Sequence, residues 1–268
     1  MLTDEQIRHF EIFGFIVLRG LLTPKEIAIA GQEHEKGLER ARAKTESRGI
    51  RKQFNWTNLG PESPFLGSLL EDLRFLNSAG QLLGGEVIGQ YANSNVFSGD
   101  RTEWHPDTRD LTRRGLKFAF YLEPLDEESG ALRFLPGSHR APFHTEISKI
   151  SLKESNKGVI DPHGIDIDEM PAFIARSNPG DVVAFDGRVW HASWGGRELR
   201  RMCSVGYFAT PNSAEEEESI RRIAEGEVGL IQSFPLIRRP EHWVVNADGS
   251  TVREKWMDFL KEYEFLGL

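Results

Sequence analysis

The spacing of apolar positions changes along the chain, and the change divides it. Near the start, Ile7, Phe10 and Ile12 follow Thr3 and Gln6. A Thr whose hydroxyl accepts from the backbone three residues on, with a Gln there to return the bond, is a capping box, so a helix opens at this point. Gly14-Phe15-Ile16-Val17-Leu18 then reads as a short β-rich run. Thr23-Pro24-Lys25-Glu26 repeats the start signal, with Pro at the first helical position and Glu at the third. It predicts a charged helix reaching about Ala43. Residues 48–58 are polar and read as loop. Ser63-Pro64 opens a third predicted helix, with Phe65, Leu69, Leu70, Leu73 and Leu76 at helical spacing.

After Gly84-Gly85 the period shortens. Apolar or alternating segments recur at 87–91, 116–122, 131–135, 172–175, 182–185 and 203–209, separated by Gly, Pro, Asp and Asn. Short strands punctuated by turns predict an antiparallel sandwich or barrel. Residues 140–171 are long, polar and irregular, and a connection of that length inside a compact domain usually serves function. We expect it to act as a lid. Helical spacing returns at 214–224 and 252–263. The acidic run at 215–218 falls in the first turn of that helix, where negative charge suits the dipole. The expected organisation is one domain over 1–268: a helical part (1–85), a barrel core (86–210) with the insertion at 140–171, and a second helical part (211–268).

Composition narrows the classes. The 268 residues include 33 Lys+Arg and 41 Asp+Glu, a net charge of −8, which argues against a nucleic-acid backbone as the main partner. The single cysteine, Cys203, excludes an internal disulfide framework and fits a reducing compartment. The longest apolar runs are too short to span a bilayer, and no basic segment precedes an apolar one at the start. A cytoplasmic protein acting on a small molecule, with neither nucleic acid nor membrane as partner, is the expectation. Oligomeric state is left open.

Three His-x-acid pairs occur among the eight histidines: His9/Glu11, His105/Asp107 and His144/Glu146. Residues two apart share a face on a strand but lie ~200° apart on a helix. His9 and Glu11 fall in the first predicted helix, and His144 and Glu146 in the irregular segment. His105 and Asp107 lie in Glu103-Trp104-His105-Pro106-Asp107-Thr108, an extended run before a strong strand. There they can chelate one ion side by side. A third ligand, His191, is delivered by Trp190-His191-Ala192-Ser193 at the start of a neighbouring strand. Two imidazoles and one carboxylate make the facial triad that suits non-haem Fe(II) and leaves three positions open. The same ligands also suit a zinc hydrolase or a cupin-like site, and a catalytically silent binding barrel is a third reading.

The chain resembles the phytanoyl-CoA dioxygenase family of Fe(II)/2-oxoglutarate oxygenases over residues 3–210. The resemblance is carried by the order and spacing of several pieces. These are Leu2-Thr3-Asp4-Glu5-Gln6 with the run from Gly14 to Leu18, Trp104-His105-Pro106-Asp107, and Ser129-Gly130-Ala131-Leu132-Arg133-Phe134-Leu135-Pro136-Gly137-Ser138-His139. Pro179-Gly180-Asp181-Val182-Val183-Ala184-Phe185, Trp190-His191-Ala192-Ser193 and Arg200-Arg201 complete it. The resemblance implies a mainly β protein, a double-stranded β-helix (a jelly-roll, cupin-like barrel) with helices at both ends. It implies Fe(II) on His105, Asp107 and His191, with 2-oxoglutarate and O2 as cosubstrates and succinate and CO2 as products. Related halogenases lack the carboxylate, so Asp107 implies hydroxylation of an aliphatic C–H. An arginine about ten residues after the second histidine binds the distal carboxylate of 2-oxoglutarate in that family. Arg197, Arg200 and Arg201 are the candidates; Arg200 comes first and Arg201 second, since adjacent strand residues face opposite ways. Tyr121 falls where the family carries an aromatic near the cosubstrate. Arg109, Arg113 and Arg114 follow the metal motif, within reach of an anionic substrate or of solvent. Arg51-Lys52-Gln53 are candidates for the pocket edge. His144 and His163 are weaker pocket candidates, and Ser138-His139 reads as turn structure.

Overall fold

The computed structural model describes residues 1–44, 53–98, 102–150, 152–153, 165–166, 169–196 and 199–265. Helix α1 (Asp4–Phe13) and helix α2 (Pro24–Ala43) each start with a complete capping box, on Thr3/Gln6 and Thr23/Glu26. Strand β1 (Phe15–Leu18) lies between them. Strand β2 (Gln53–Thr57), α3 (Pro64–Ser68) and α4 (Leu73–Leu83) follow. The barrel is made by β3 (Val87–Ser98), β4 (Thr102–His105), β5 (Gly115–Tyr121), β6 (Leu132–Phe134), β9 (Phe173–Ala175), β10 (Val182–Asp186), β11 (His191–Ser193) and β12 (Leu199–Ala209). Between β6 and β9 run α5 (Phe143–Ile147) and a parallel pair, β7 (Leu152–Lys153) with β8 (Ile165–Asp166). After the barrel come α6 (Ala214–Ser233), a 3₁₀ turn (Pro235–Ile237), α7 (Glu241–Val245) and α8 (Thr251–Glu262).

The strands form a wide sheet, β1-β10-β5-β12-β3-β2, and a narrow one, β4-β11-β6-β9. Every pairing within the two is antiparallel. Their facing sides share an apolar cluster: Phe15, Ala119, Tyr121, Val183 and Phe185 from the wide sheet, with Leu132, Phe134 and Ala175 from the narrow one. The outer side of the wide sheet is covered by helices. There Phe118, Phe120, Val205 and Phe208 pack with Leu66, Phe75, Leu82, Trp256 and Leu260. Phe75 meets Phe118 edge to face at 5.3 Å. Burying one such ring stabilises the fold by roughly 1.5–3 kcal/mol, so the helical layer and the sheet hold each other in place. The two facing sheets are the jelly-roll barrel implied by the resemblance.

Some elements differ from the sequence reading. Residues 53–57 form a strand, although 48–58 reads as polar loop. Gln53, Asn55 and Thr57 face the barrel interior, while Phe54 and Trp56 pack outward with Leu38, Ala41 and Val96. The period of two is present, but its polar half faces a cavity rather than solvent. The third predicted helix is two, because Asp72 caps α4 by accepting from Arg74 N at 2.8 Å and interrupts the run. Helix α6 continues to Ser233, beyond the predicted end at Ala224. His163, Arg51, Lys52 and Arg197 lie outside the described residues.

Candidate active site

Strands β4 and β11 are antiparallel neighbours, with His191 directly opposite His105. The ring centroids are 4.4 Å apart. Asp107 follows two residues after His105, and its Oδ1 lies 3.8 Å from His191 Nε2. One ligand atom from each of the three lies within 4.8 Å of the others, close enough to share one ion. Backbone carbonyls aim the rings. His105 Nδ1 sits 2.7 Å from Glu103 O, and His191 Nδ1 sits 3.0 Å from Val189 O. A carbonyl can only accept, so each Nδ1 holds the proton and each Nε2 presents its lone pair. Burial pushes the His191 imidazole down to about 4, against the raising pull of Asp107. It is therefore a neutral donor at physiological pH.

The run at 129–139 explains how His191 is held. Phe134 and Arg133 on β6 pair with His191 and Ala192. Ser138 Oγ accepts from Trp190 N at 2.8 Å, and His139 Nε2 lies 3.1 Å from Glu11 O. Both residues are structural, as their place in a turn implied. His144 is also buried in this layer, with Nδ1 3.0 Å from Ser138 O, and does not reach the cavity.

Beside the three ligands lies a cavity of about 430 Å³. Asp107 and Lys117 form its metal-side wall. Lys117 Nζ is 2.7 Å from Asp107 Oδ2. Burial would raise the Asp107 carboxyl, but Lys117, then His191 and His105, outweigh it and hold it well below the usual carboxylate range. Burial likewise opposes charge on Lys117, and Asp107 more than offsets it. Asn55, Asn93 and Asn95 line a second wall, from β2 and β3. Helix α6 and the 3₁₀ turn close a third side through Leu230, Ile231, Phe234 and Ile237. No described residue of 140–171 lines this cavity, and 154–164 lies outside the described residues.

The two candidate arginines on β12 diverge. Arg200 shares a strand face with Met202 and Ser204, which line the cavity, and is only 4% exposed. Its Nη1 donates to Gly130 O at 2.6 Å, and its guanidinium lies 4.7 Å over the Phe97 ring. Its Nε is buried without a partner. Gly130 has φ +95, and a Cβ there would sit 2.6 Å from Arg200 Nη1, so the glycine makes room for this arginine. Tyr121, paired with Met202 across β5 and β12, is buried on the same interior side. Arg201 faces the helices instead and bonds Glu123 at 2.9 Å and Glu35 at 2.7 Å. Of the loop arginines, Arg114 is tied to Glu216 and Leu83 O, and Arg109 lies over Trp190. Arg113 lines the cavity.

Sequence reasoning passed over Lys117, the amide wall and the α6 side of the cavity. A lysine at an inward position of an otherwise apolar strand, and asparagines at 93 and 95 in the next, were the available signals.

A jelly-roll barrel with two histidines and a carboxylate at its mouth, and a buried interior arginine, defines the non-haem metal oxygenase class. The particular family follows from the sequence. The family model for phytanoyl-CoA dioxygenase (PhyH) matches residues 10–202, and the chain belongs to that family of dioxygenases, which use Fe(II), 2-oxoglutarate and O2. An ectoine dioxygenase of Bordetella parapertussis is 30% identical over 218 residues, covering 72% of this chain and 70% of the relative. A crystal structure of EctD from S. alaskensis with 2-oxoglutarate and 5-hydroxyectoine has a TM-score of 0.58 at 19% identity. It covers 78% of this chain and 76% of that one. HygX from Streptomyces hygroscopicus, with nickel and 2-oxoglutarate bound, has a TM-score of 0.59 at 20% identity, covering 78% and 88%. At these identities the two structures show the fold.

Proposed function

We propose that the chain hydroxylates an aliphatic C–H of a small polar compound, with release of succinate and CO2. Fe(II) would be held by Nε2 of His105, Nε2 of His191 and the carboxylate of Asp107, and the distal carboxylate of 2-oxoglutarate by Arg200. Bound together with O2, the metal and cosubstrate supply the oxidant that removes a substrate hydrogen. The chain's own groups do the rest. The Glu103 and Val189 carbonyls keep both imidazoles in the ligating tautomer. Lys117 keeps Asp107 ionised. Arg200 fixes the cosubstrate's far end with a donor pair suited to a carboxylate, and Tyr121 borders it.

The observation that carries this reading is the orphaned Nε of Arg200. A buried guanidinium donor without a partner, on the interior face of β12, fits a dicarboxylate cosubstrate. A hydrolase on the same three ligands has no use for it. An Fe(II) enzyme works where the metal stays reduced, and on that ground we place the protein in the cytoplasm. The test is succinate release from 2-oxoglutarate by the Fe(II)-loaded protein, with ectoine as the first substrate added. Arg200→Gln should lose 2-oxoglutarate binding by calorimetry. Unchanged binding in that variant, or no succinate from the wild type, would sink the reading.

A further inference from the structure

The cavity carries a positive charge that the protein leaves unmatched. Arg113 lines it between the metal-side wall and α6. Among the described residues its side chain makes no hydrogen bond and no ion pair. The acidic groups around it are Asp107, Asp110 and Glu227, and each is already engaged. Asp107 is held by Lys117 at 2.7 Å. Asp110 accepts from Arg222, Ser219 and Thr112. Glu227 forms a two-pronged pair with Arg239, at 2.8 and 2.9 Å. Burial drags the Arg113 guanidinium below its ordinary value despite the acids nearby, with Tyr91 adding to their pull. A planar fork of donors, half-buried beside the reacting centre, therefore waits for an anion.

The opposite wall has the complementary deficit. Asn55 Oδ1 and Asn93 Oδ1 face the cavity buried and without partners. A ligand that satisfies them donates hydrogen bonds. Resting on the oxygenase reading above, we propose that Arg113 anchors a carboxylate on the organic substrate, which is a small polar acid carrying a hydroxyl or amino group. A carboxylate is favoured over a phosphate monoester because a dianion would bring a second negative charge into a cavity with one unmatched cation. The two carboxylate oxygens also match the fork of a single guanidinium. Lys117 and Arg239 are not available as further anchors, being paired to Asp107 and Glu227.

The experiment loads the protein with Ni(II), which supports binding without turnover, and with 2-oxoglutarate. Calorimetry then compares small acids with their primary amides: ectoine, proline, 3-hydroxybutyrate and cyclohexanecarboxylate, each against its own carboxamide, with methyl phosphate as the dianion probe. At least one hydroxyl- or amino-bearing acid should bind about 10- to 100-fold tighter than its amide, the size of a charged hydrogen-bonded contact. Arg113→Gln should erase that preference, and Arg113→Lys, which keeps the charge and loses the fork, should restore part of it. Equal binding of acids and amides by the wild type overturns the proposal, as does a preference that survives in Arg113→Gln. Tighter binding of methyl phosphate than of any acid overturns the carboxylate assignment. A KM for 2-oxoglutarate raised in Arg113→Gln as far as in Arg200→Gln overturns it too, because Arg113 would then hold the cosubstrate. Succinate release by the Fe(II)-loaded wild type is measured alongside. Its absence would overturn the oxygenase reading itself, and its presence without a carboxylate preference would overturn only this one.

Discussion

The narrow sheet and the wide sheet do different work. On the narrow sheet the groups that matter are few and are aimed by backbone. Both histidines bond carbonyls within two residues of themselves, and β11 is held on both flanks by β4 and β6. On the wide sheet they are scattered over β2, β3, β5 and β12 and are brought to the interior by strand register. Lys117, Asn93, Asn95, Met202 and Ser204 face the cavity because every second residue does. On the proposed reading the narrow sheet sets what reaction can occur, and the wide sheet, with α6, sets what fits beside it. The same fold can then change substrate without disturbing its metal.

The largest effect should come from the narrow sheet. Asp107→Ala removes the one carboxylate of the proposed triad and leaves Lys117 without its partner. Losing a residue behind a ligand typically costs ~10–100-fold, so losing a ligand should cost more and leave succinate formation at background. Iron content and succinate release check this, and full activity in the variant would remove the assignment. Next in size is Arg200 on the wide sheet, only 4% exposed. Arg200→Ala should raise the KM for 2-oxoglutarate by about 30- to 1,000-fold, the ~2–4 kcal/mol of a truncated buried charge pair. Initial rates at varied 2-oxoglutarate would show it.

This division also explains what could be read from the sequence. The triad was legible because His105 and Asp107 sit two apart on extended backbone and His191 follows a turn-strand-turn pattern. Capping boxes made α1 and α2 legible almost to the residue. The helix break at Asp72 and the strand at 53–57 were harder, because Leu73 and Leu76 continue an apolar rhythm and β2 hides its polar face indoors. The cavity itself was not legible. Its walls come from residues more than a hundred positions apart, such as Asn55 and Glu227, and only tertiary pairing brings them together. The segment 140–171 drew attention as a lid by its length and its polar, irregular sequence, while the described wall is α6, a helix whose polar surface gave no such signal.

A third prediction tests how the wide sheet is supported from behind. His34 on α2 is fully buried, with Nε2 3.2 Å from Asn95 O and its ring edge-on to Trp56. Burial lowers it from 6.5 to about 4, partly opposed by the Asn95 carbonyl. The folded protein therefore prefers the neutral ring. Its contribution to stability is complete above about pH 6.5 and is lost as pH falls toward 4. Over that window the loss should reach about 3 kcal/mol. Urea midpoints of wild type and His34→Phe across pH 7 to 4 isolate the term, and parallel curves would show that His34 does not carry it.

The smallest effect should come from the neighbour of Arg200. Arg201→Ala removes ion pairs to Glu123 and Glu35, whose side chains are 24% and 52% exposed. Pairs as wet as these contribute only ~0.2–1 kcal/mol, and the KM for 2-oxoglutarate should stay close to that of the wild type. The two adjacent substitutions thus read the register of β12 directly. If Arg201→Ala raised the KM and Arg200→Ala did not, the strand would have to be shifted by one residue, and every side chain on it would change sides. Met202 and Ser204 would leave the cavity, and Cys203 and Val205 would leave the helix-covered core in which they are 1% and 2% exposed. The burial of those two apolar residues against the helices is therefore an independent physical reason for Arg200, and not Arg201, to face the barrel interior.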